Sequence, residues 1–109
     1  MEFLVEFEVN VPDGTAEAEV KNRQDAEGRA AAKLADDGHL LRVWKRTAAE
    51  GGTLIVGLYR AEDQAQLTRL LEALPLYEWM HIGVTALEPH PNDPAAARTS
   101  NRTEGNGQS

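Results

Sequence analysis

The chain contains no cysteine. Disulfide frameworks and thiolate metal sites are therefore excluded, and a reducing cytoplasm is the simplest compartment. It is also short of positive charge, with eighteen acidic against eleven basic residues and a formal charge of −7. Nucleic acid and anionic membrane surfaces both demand a concentrated positive field, so neither is an expected partner; a small anion at a local basic site is still allowed. No apolar run approaches membrane-spanning length, and the opening MEFLVEFEV lacks the basic-then-apolar order of a signal peptide. His39, His81 and His90 stand far apart without ligand spacing, so no metal is expected. Glycine-rich phosphate loops, serine nucleophile motifs and internal repeats are missing too.

What remains is a chain of 109 residues, enough for one domain with one modest core, a size at which self-association often adds stability. Its organising stretch is LPLYEWMHIGVTALEPHP, residues 74–91. Pro75 ends the preceding helical pattern, because proline has no amide hydrogen and disfavours helical geometry in the residue before it. Tyr77, Trp79 and Met80 supply bulk, and from His81 the pattern has period two, with Ile82, Val84 and Ala86 on one face. Pro89 and Pro91 close the strand. Residues 92–109 carry no apolar periodicity, so the domain is expected to span 1–91, followed by a disordered C-terminal tail.

Upstream, Phe3, Val5, Phe7, Val9 and Val11 alternate with polar residues as a half-buried strand, Leu4 being the exception. Pro12-Asp13-Gly14 predicts a turn, and Thr15 is the expected cap of a helix running to about Asp37 and stopped by Gly38. On that helix Glu27, Ala31 and Leu34 fall within about 40° of Val20. A carboxylate thus sits in the apolar stripe, among small neighbours. Either it reaches the rim or pairs with a cation, or it is a candidate base.

Residues 39–46 predict a second strand, with Leu41, Val43 and Lys45 on one face and Leu40, Arg42, Trp44 and Arg46 on the other. Trp44 between arginines could stack a planar ligand or hold a carboxylate; it could equally be a subunit or sheet surface with solvated arginines. Residues 48–52 read as a hairpin connection to a third strand over 53–59, and Ala61-Glu62-Asp63 as the opening of a second helix striped by Ala65, Leu67, Leu70, Leu71 and Leu74. The order βαββαβ predicts an α+β, ferredoxin-like domain: a four-stranded antiparallel sheet with both helices on one face. The opposite face, expected to carry Trp44 or the phenylalanines of the first strand, would need a second subunit to cover it.

These residues carry a resemblance. Val11-Pro12, Glu27, Gly38, Trp44 and above all Leu74-Pro75-Leu76-Tyr77, Met80, Ile82, Val84-Thr85, Leu87 and His90-Pro91 resemble the muconolactone delta-isomerase family, whose pattern there is close to LPLFPYM, I-x-V-T-x-L and HP. The likeness covers residues 1–91. It implies a dimeric α/β-barrel assembly, with at least a dimer and, as a ring of dimers, a decamer. It also implies a cofactor-independent reaction on a small anionic lactone. A proton leaves the ring carbon bearing an acetate arm and returns to the carbon beside the lactone carbonyl, through a dienolate. Glu27 matches the family's acid/base glutamate, and Lys45 stands in place of an arginine as carboxylate partner, with Arg42 and Arg46 competing. Trp44 and Tyr77 complete the implied substrate-binding set. The chain departs from the family's Leu-Trp-Arg at Val43-Trp44-Lys45, from Tyr-Ala-Asn-Tyr at Glu50-Gly51-Gly52-Thr53, and from Phe-Pro-Tyr at Tyr77-Glu78-Trp79. These positions should border the pocket. The alternative is therefore a dimeric α/β-barrel protein that binds or transforms another small hydrophobic metabolite.

Overall fold

The computed structural model describes residues 1–47, 49 and 53–95. Strand β1 (Glu2–Val9) leads into helix α1 (Glu17–Asp36), strands β2 (Leu40–Thr47) and β3 (Thr53–Arg60), helix α2 (Gln64–Glu72), a single 3₁₀ turn (Tyr77–Trp79) and strand β4 (Met80–Leu87). The sheet order is β2-β3-β1-β4, all neighbours antiparallel. This is the expected ferredoxin-like architecture. Phe3, Val5 and Phe7 from β1 pack with Tyr59 from β3, Leu34 from α1 and Leu67 and Leu71 from α2, so both helices cover one face of the sheet.

Local chemistry explains the joints. Gly38 adopts φ +83°, and the amides of Gly38 and His39 donate to the carbonyls of Ala35 and Leu34 at 3.1 and 2.8 Å. This is a Schellman ending, which a residue with a Cβ would strain. At the start of α2, Asp63 accepts from the Gln66 amide at 2.8 Å while the Gln66 side chain accepts from the Glu62 amide at 2.7 Å. That reciprocal cap moves the helix start to Gln64, beyond the expected Ala61, which is buried instead. Ala65 of the expected stripe is exposed.

Several other expectations are corrected. Thr15 does not cap α1: its hydroxyl donates to the Pro12 carbonyl at 2.7 Å, closing the turn, and Ala16 holds the cap position without a side-chain bond. Val11 lies past the end of β1 and is exposed. In β2 a bulge between Leu40 and Arg42 sets Leu40 opposite Tyr59 and Arg42 opposite Leu58. The extra residue moves Leu40 onto the face of Val43 and Lys45, away from Trp44, because two residues there oppose one on the partner. The phenylalanines of β1 are buried beneath the helices and do not line the uncovered face. The expected hairpin at 48–52 falls largely outside the described residues.

Candidate active site

One face of α1 is fastened to the segment that joins α2 to β4. The Arg23 guanidinium lies 4.5 Å from the Trp79 ring centroid and donates to the Pro75 carbonyl at 3.3 Å and to Glu78 at 3.1 Å. One helical turn later, the Leu76 amide donates to Glu27 Oε1 at 3.0 Å. Residues four apart share a helix face, so two consecutive turns read the same loop, one through its carbonyl and the other through its amide. Pro75 helps here. It ends the helical pattern before Leu76, whose amide is then free to meet a side chain from elsewhere.

Glu27 lines a cavity of about 180 Å³ between α1 and the sheet, together with Phe7, Val9, Ala31, Leu40, Val43, Ile55, Tyr59, Leu76 and Met80. Apart from Glu27 and the Tyr59 phenol, every lining side chain is apolar. An apolar cavity of about 150 Å³ holds a benzene-sized ring, so this one fits a single small ring with a short substituent. Burial raises the Glu27 carboxyl above its ordinary 4.5, and the Leu76 hydrogen bond only partly opposes this. Among the described residues Glu27 makes no ion pair. A half-buried carboxylate with one oxygen anchored to an amide and no neutralising cation is a suitable general base.

Tyr59 is the site residue that periodicity did not single out. It is 4% exposed, and burial first, then the charge of Glu27, pushes its phenol up to about 12. The ring meets Phe7 edge-on at 6.2 Å between centroids and lies over Gly57, where an added Cβ would come within 2.7 Å of Tyr59 Cε1. A glycine two residues before an aromatic on one strand face was the available signal, since it leaves room for a ring lying along the sheet.

The other nominated residues lie apart, three on β2 and Tyr77 in the 3₁₀ turn. Lys45 shares the cavity side with Val43 and pairs in register with Ile55, both lining residues; it is exposed and has no ion pair among the described residues. Arg42 and Trp44 lie on the opposite, uncovered face, with the Arg42 guanidinium 5.1 Å from the Trp44 ring centroid. Tyr77, in the 3₁₀ turn, is exposed and does not line the cavity. Larger grooves of about 750 Å³ around Met1 and His90 and about 480 Å³ around His39 are open hollows. Arg60, which borders both, is paired with Glu2 at 3.1 Å. No three metal-ligating side chains converge among the described residues.

Residues 1–93 match the family model described as muconolactone delta-isomerase. The chain belongs to the muconolactone delta-isomerase family. Muconolactone Delta-isomerase 1 of Acinetobacter lwoffii is 32% identical over 95 residues, covering 84% of this chain and 93% of that protein. The enzyme of the same name from Acinetobacter baylyi is 26% identical over 92 residues, with the same coverage. Among solved structures, a muconolactone isomerase superposes with a TM-score of 0.74 at 26% identity, covering 86% of this chain and 95% of that one. A 5-chloro-2-hydroxyhydroquinone dehydrochlorinase from Burkholderia phenoliruptrix, 15% identical, superposes with a TM-score of 0.61 over 85% of this chain and 99% of its own, a likeness of fold. The chain is thus an isomerase built on the family's four-stranded sheet and two helices.

Proposed function

We propose that the cavity carries out a cofactor-independent proton shift within muconolactone, or within a small unsaturated lactone carboxylate close to it, as a step of aromatic-compound breakdown in the cytoplasm. The observation that carries this reading is Glu27: a carboxylate of raised pKa, without a cation partner among the described residues, in an apolar cavity sized for one ring. Ionised Glu27 takes the proton from the ring carbon that bears the acetate arm, and the electron pair moves through the ring onto the lactone carbonyl oxygen. The protonated carboxyl then returns the same proton to the carbon beside the carbonyl. Lys45, on the cavity side of β2 and without an ion pair among the described residues, receives the substrate carboxylate at the mouth, with less directional grip than an arginine.

Muconolactone incubated with the protein, without added metal or cofactor, should change its ultraviolet spectrum as the double bond moves within the ring. An unchanged spectrum at high enzyme concentration would replace this reading with binding or conversion of another small hydrophobic metabolite in the same cavity.

The functional unit is residues 1–91 paired with a second copy through the uncovered sheet face, the tail 92–109 lying outside it. That face carries Leu4, Leu54, Val56, Leu58 and Trp44, the last 42% exposed, framed by Glu2, Glu6, Arg42 and Arg46. Glu6 already pairs with Arg46 across this strip at 3.8 Å and Glu2 with Arg60 at 3.1 Å, so what a two-fold contact gains is the apolar area of the strip, taken out of water. Leu58→Glu places a carboxylate in that strip. Sedimentation of the wild type at micromolar concentration should show at least a dimer, and the variant should shift to monomer; a wild-type monomer would remove the interface.

A further inference from the structure

We propose that Tyr59 is a second catalytic residue of this cavity, donating its phenolic hydrogen bond to the oxygen on which negative charge develops when Glu27 removes the proton. The inference rests on the isomerase reading above and adds the group that the reading lacks. A base alone leaves the dienolate unsupported: once the C–H electron pair has moved into the ring, the charge gathers on the carbonyl oxygen, and an apolar wall offers it nothing.

The cavity narrows the choice of donor. Of its ten lining residues, only Glu27 and Tyr59 have polar side chains, and the Leu76 amide is already committed to Glu27. Once protonated, Glu27 has a single O–H, which it must aim at the carbon that takes the proton back, and this leaves Tyr59 to serve the oxygen. The Tyr59 hydroxyl has no hydrogen-bond partner within the described residues, yet no buried side-chain oxygen or nitrogen among them is left unsatisfied. The hydroxyl therefore reaches accessible space, and the space that Tyr59 lines is this cavity. Its ring cannot easily turn away, because Phe7 meets it edge-on and its carbons occupy the place of a side chain at Gly57. A phenol held at about 12 stays protonated throughout the reaction. It gives a hydrogen bond without surrendering the proton, so Glu27 alone carries the proton from carbon to carbon and the atoms balance with no other reactant.

The geometry also explains why the donor is a phenol on β3. Glu27 approaches from the helix layer and Tyr59 from the sheet layer, so a flat ring between them meets base and donor from different sides. That arrangement suits a substrate whose acidic carbon and carbonyl oxygen lie apart on one small ring.

Tyr59→Phe tests the assignment with little structural disturbance, since the ring stays over Gly57 and no hydrogen bond to the described residues is lost. Turnover of muconolactone should fall by about 10²-fold, the usual effect of deleting one oxyanion donor, with KM changed much less. A second measurement does not depend on turnover. Glu27→Gln imitates the neutral carboxyl of the intermediate, and 4-nitrophenolate is a planar anion that reports hydrogen bonding through its absorption band. The Glu27→Gln protein should bind 4-nitrophenolate at least about tenfold more tightly than the Glu27→Gln/Tyr59→Phe protein, a difference of one strong hydrogen bond, with a blue-shifted band only in the former. A Tyr59→Phe enzyme turning over at the wild-type rate would overturn the role of Tyr59 and leave the isomerase reading intact. If the wild type does not act on muconolactone, that reading fails and the nitrophenolate comparison still decides. Equal affinity in the two proteins, including no binding to either, counts against the donor.

Discussion

Replacing Glu27 by glutamine is expected to lower turnover by about 10²-fold or more while leaving the protein at least as stable at neutral pH. Glutamine keeps the length of the side chain and an oxygen for the Leu76 amide, now 3.0 Å from Glu27 Oε1, but it cannot take a proton from carbon. The stability half follows from linkage. Burial raises the carboxyl of Glu27 in the folded state above its ordinary 4.5, so the folded chain binds this proton more tightly than the unfolded chain does. The contribution of the protonated group is therefore fully present below pH 4.5 and is lost as pH rises through the raised folded value. Glutamine does not ionise, so the variant escapes that loss, and its melting advantage should grow across this window and vanish in acid. The same raised value shapes the rate: kcat/KM of the wild type should climb with pH as Glu27 ionises, and the residual rate of the variant should lack that limb. If Glu27 instead neutralised a buried cation, the substitution would cost about 3–5 kcal/mol, but the described residues place no such cation beside it. Rate and melting followed together from pH 4 to 9 separate the cases. A variant that melts normally and turns over at the wild-type rate would remove Glu27 from the mechanism, and no other carboxylate or imidazole lines this cavity.

The parts of this molecule legible in the sequence are those written in local periodicity. Alternation in residues 2–9 and 80–87, the proline after Leu74 and the glycine after Asp37 are near-neighbour signals, and they yielded the βαββαβ order. Alternation states which residues share a face without saying which face is covered, and so Phe3 and Phe7 were expected as alternatives to Trp44 on the bare side. Only the helix stripes in place resolve it: Leu34, Leu67 and Leu71 lie against the phenylalanines. The bulge after Leu40 has no composition signature, and one unpaired residue was enough to bring Leu40 into the cavity. The site divides in the same way. Glu27 was visible as a carboxylate in an apolar stripe, but its partner, the Leu76 amide, lies 49 residues away. Tyr59 looked like an ordinary β-forming residue, since a phenol gains its chemistry from what surrounds it. Its neighbours come from β1, α1 and the bulged end of β2.

A methyl group at residue 57 should reveal how much depends on the position of the Tyr59 ring. In Gly57→Ala the new Cβ would stand 2.7 Å from Tyr59 Cε1, 3.3 Å from Cδ1 and 3.7 Å from a Leu40 methyl. Real Cβ contacts do not reach 2.7 Å, so the ring must shift. Behind it are Phe7 and the packed core, and the open direction is the cavity of about 180 Å³. The ring is thus driven into the space that receives the substrate. Overpacking of this kind costs about 1–3 kcal/mol, and the entropy gained by replacing a strand glycine returns at most about 1 kcal/mol. The net loss should lower Tm by several degrees, at about 4–8 °C per kcal/mol for a domain of this size. Turnover should fall with it, and KM should rise because the cavity has shrunk, a combination that Tyr59→Phe, which keeps the volume, should not show. Gly57→Ala/Tyr59→Leu separates the clash from any effect of alanine on the strand: with the ring gone, alanine at 57 should cost nothing further, so the two substitutions couple by roughly the overpacking energy. If Gly57→Ala melts and reacts like the wild type, the ring relocates freely, and neither the cavity nor the donor position depends on the glycine beneath it.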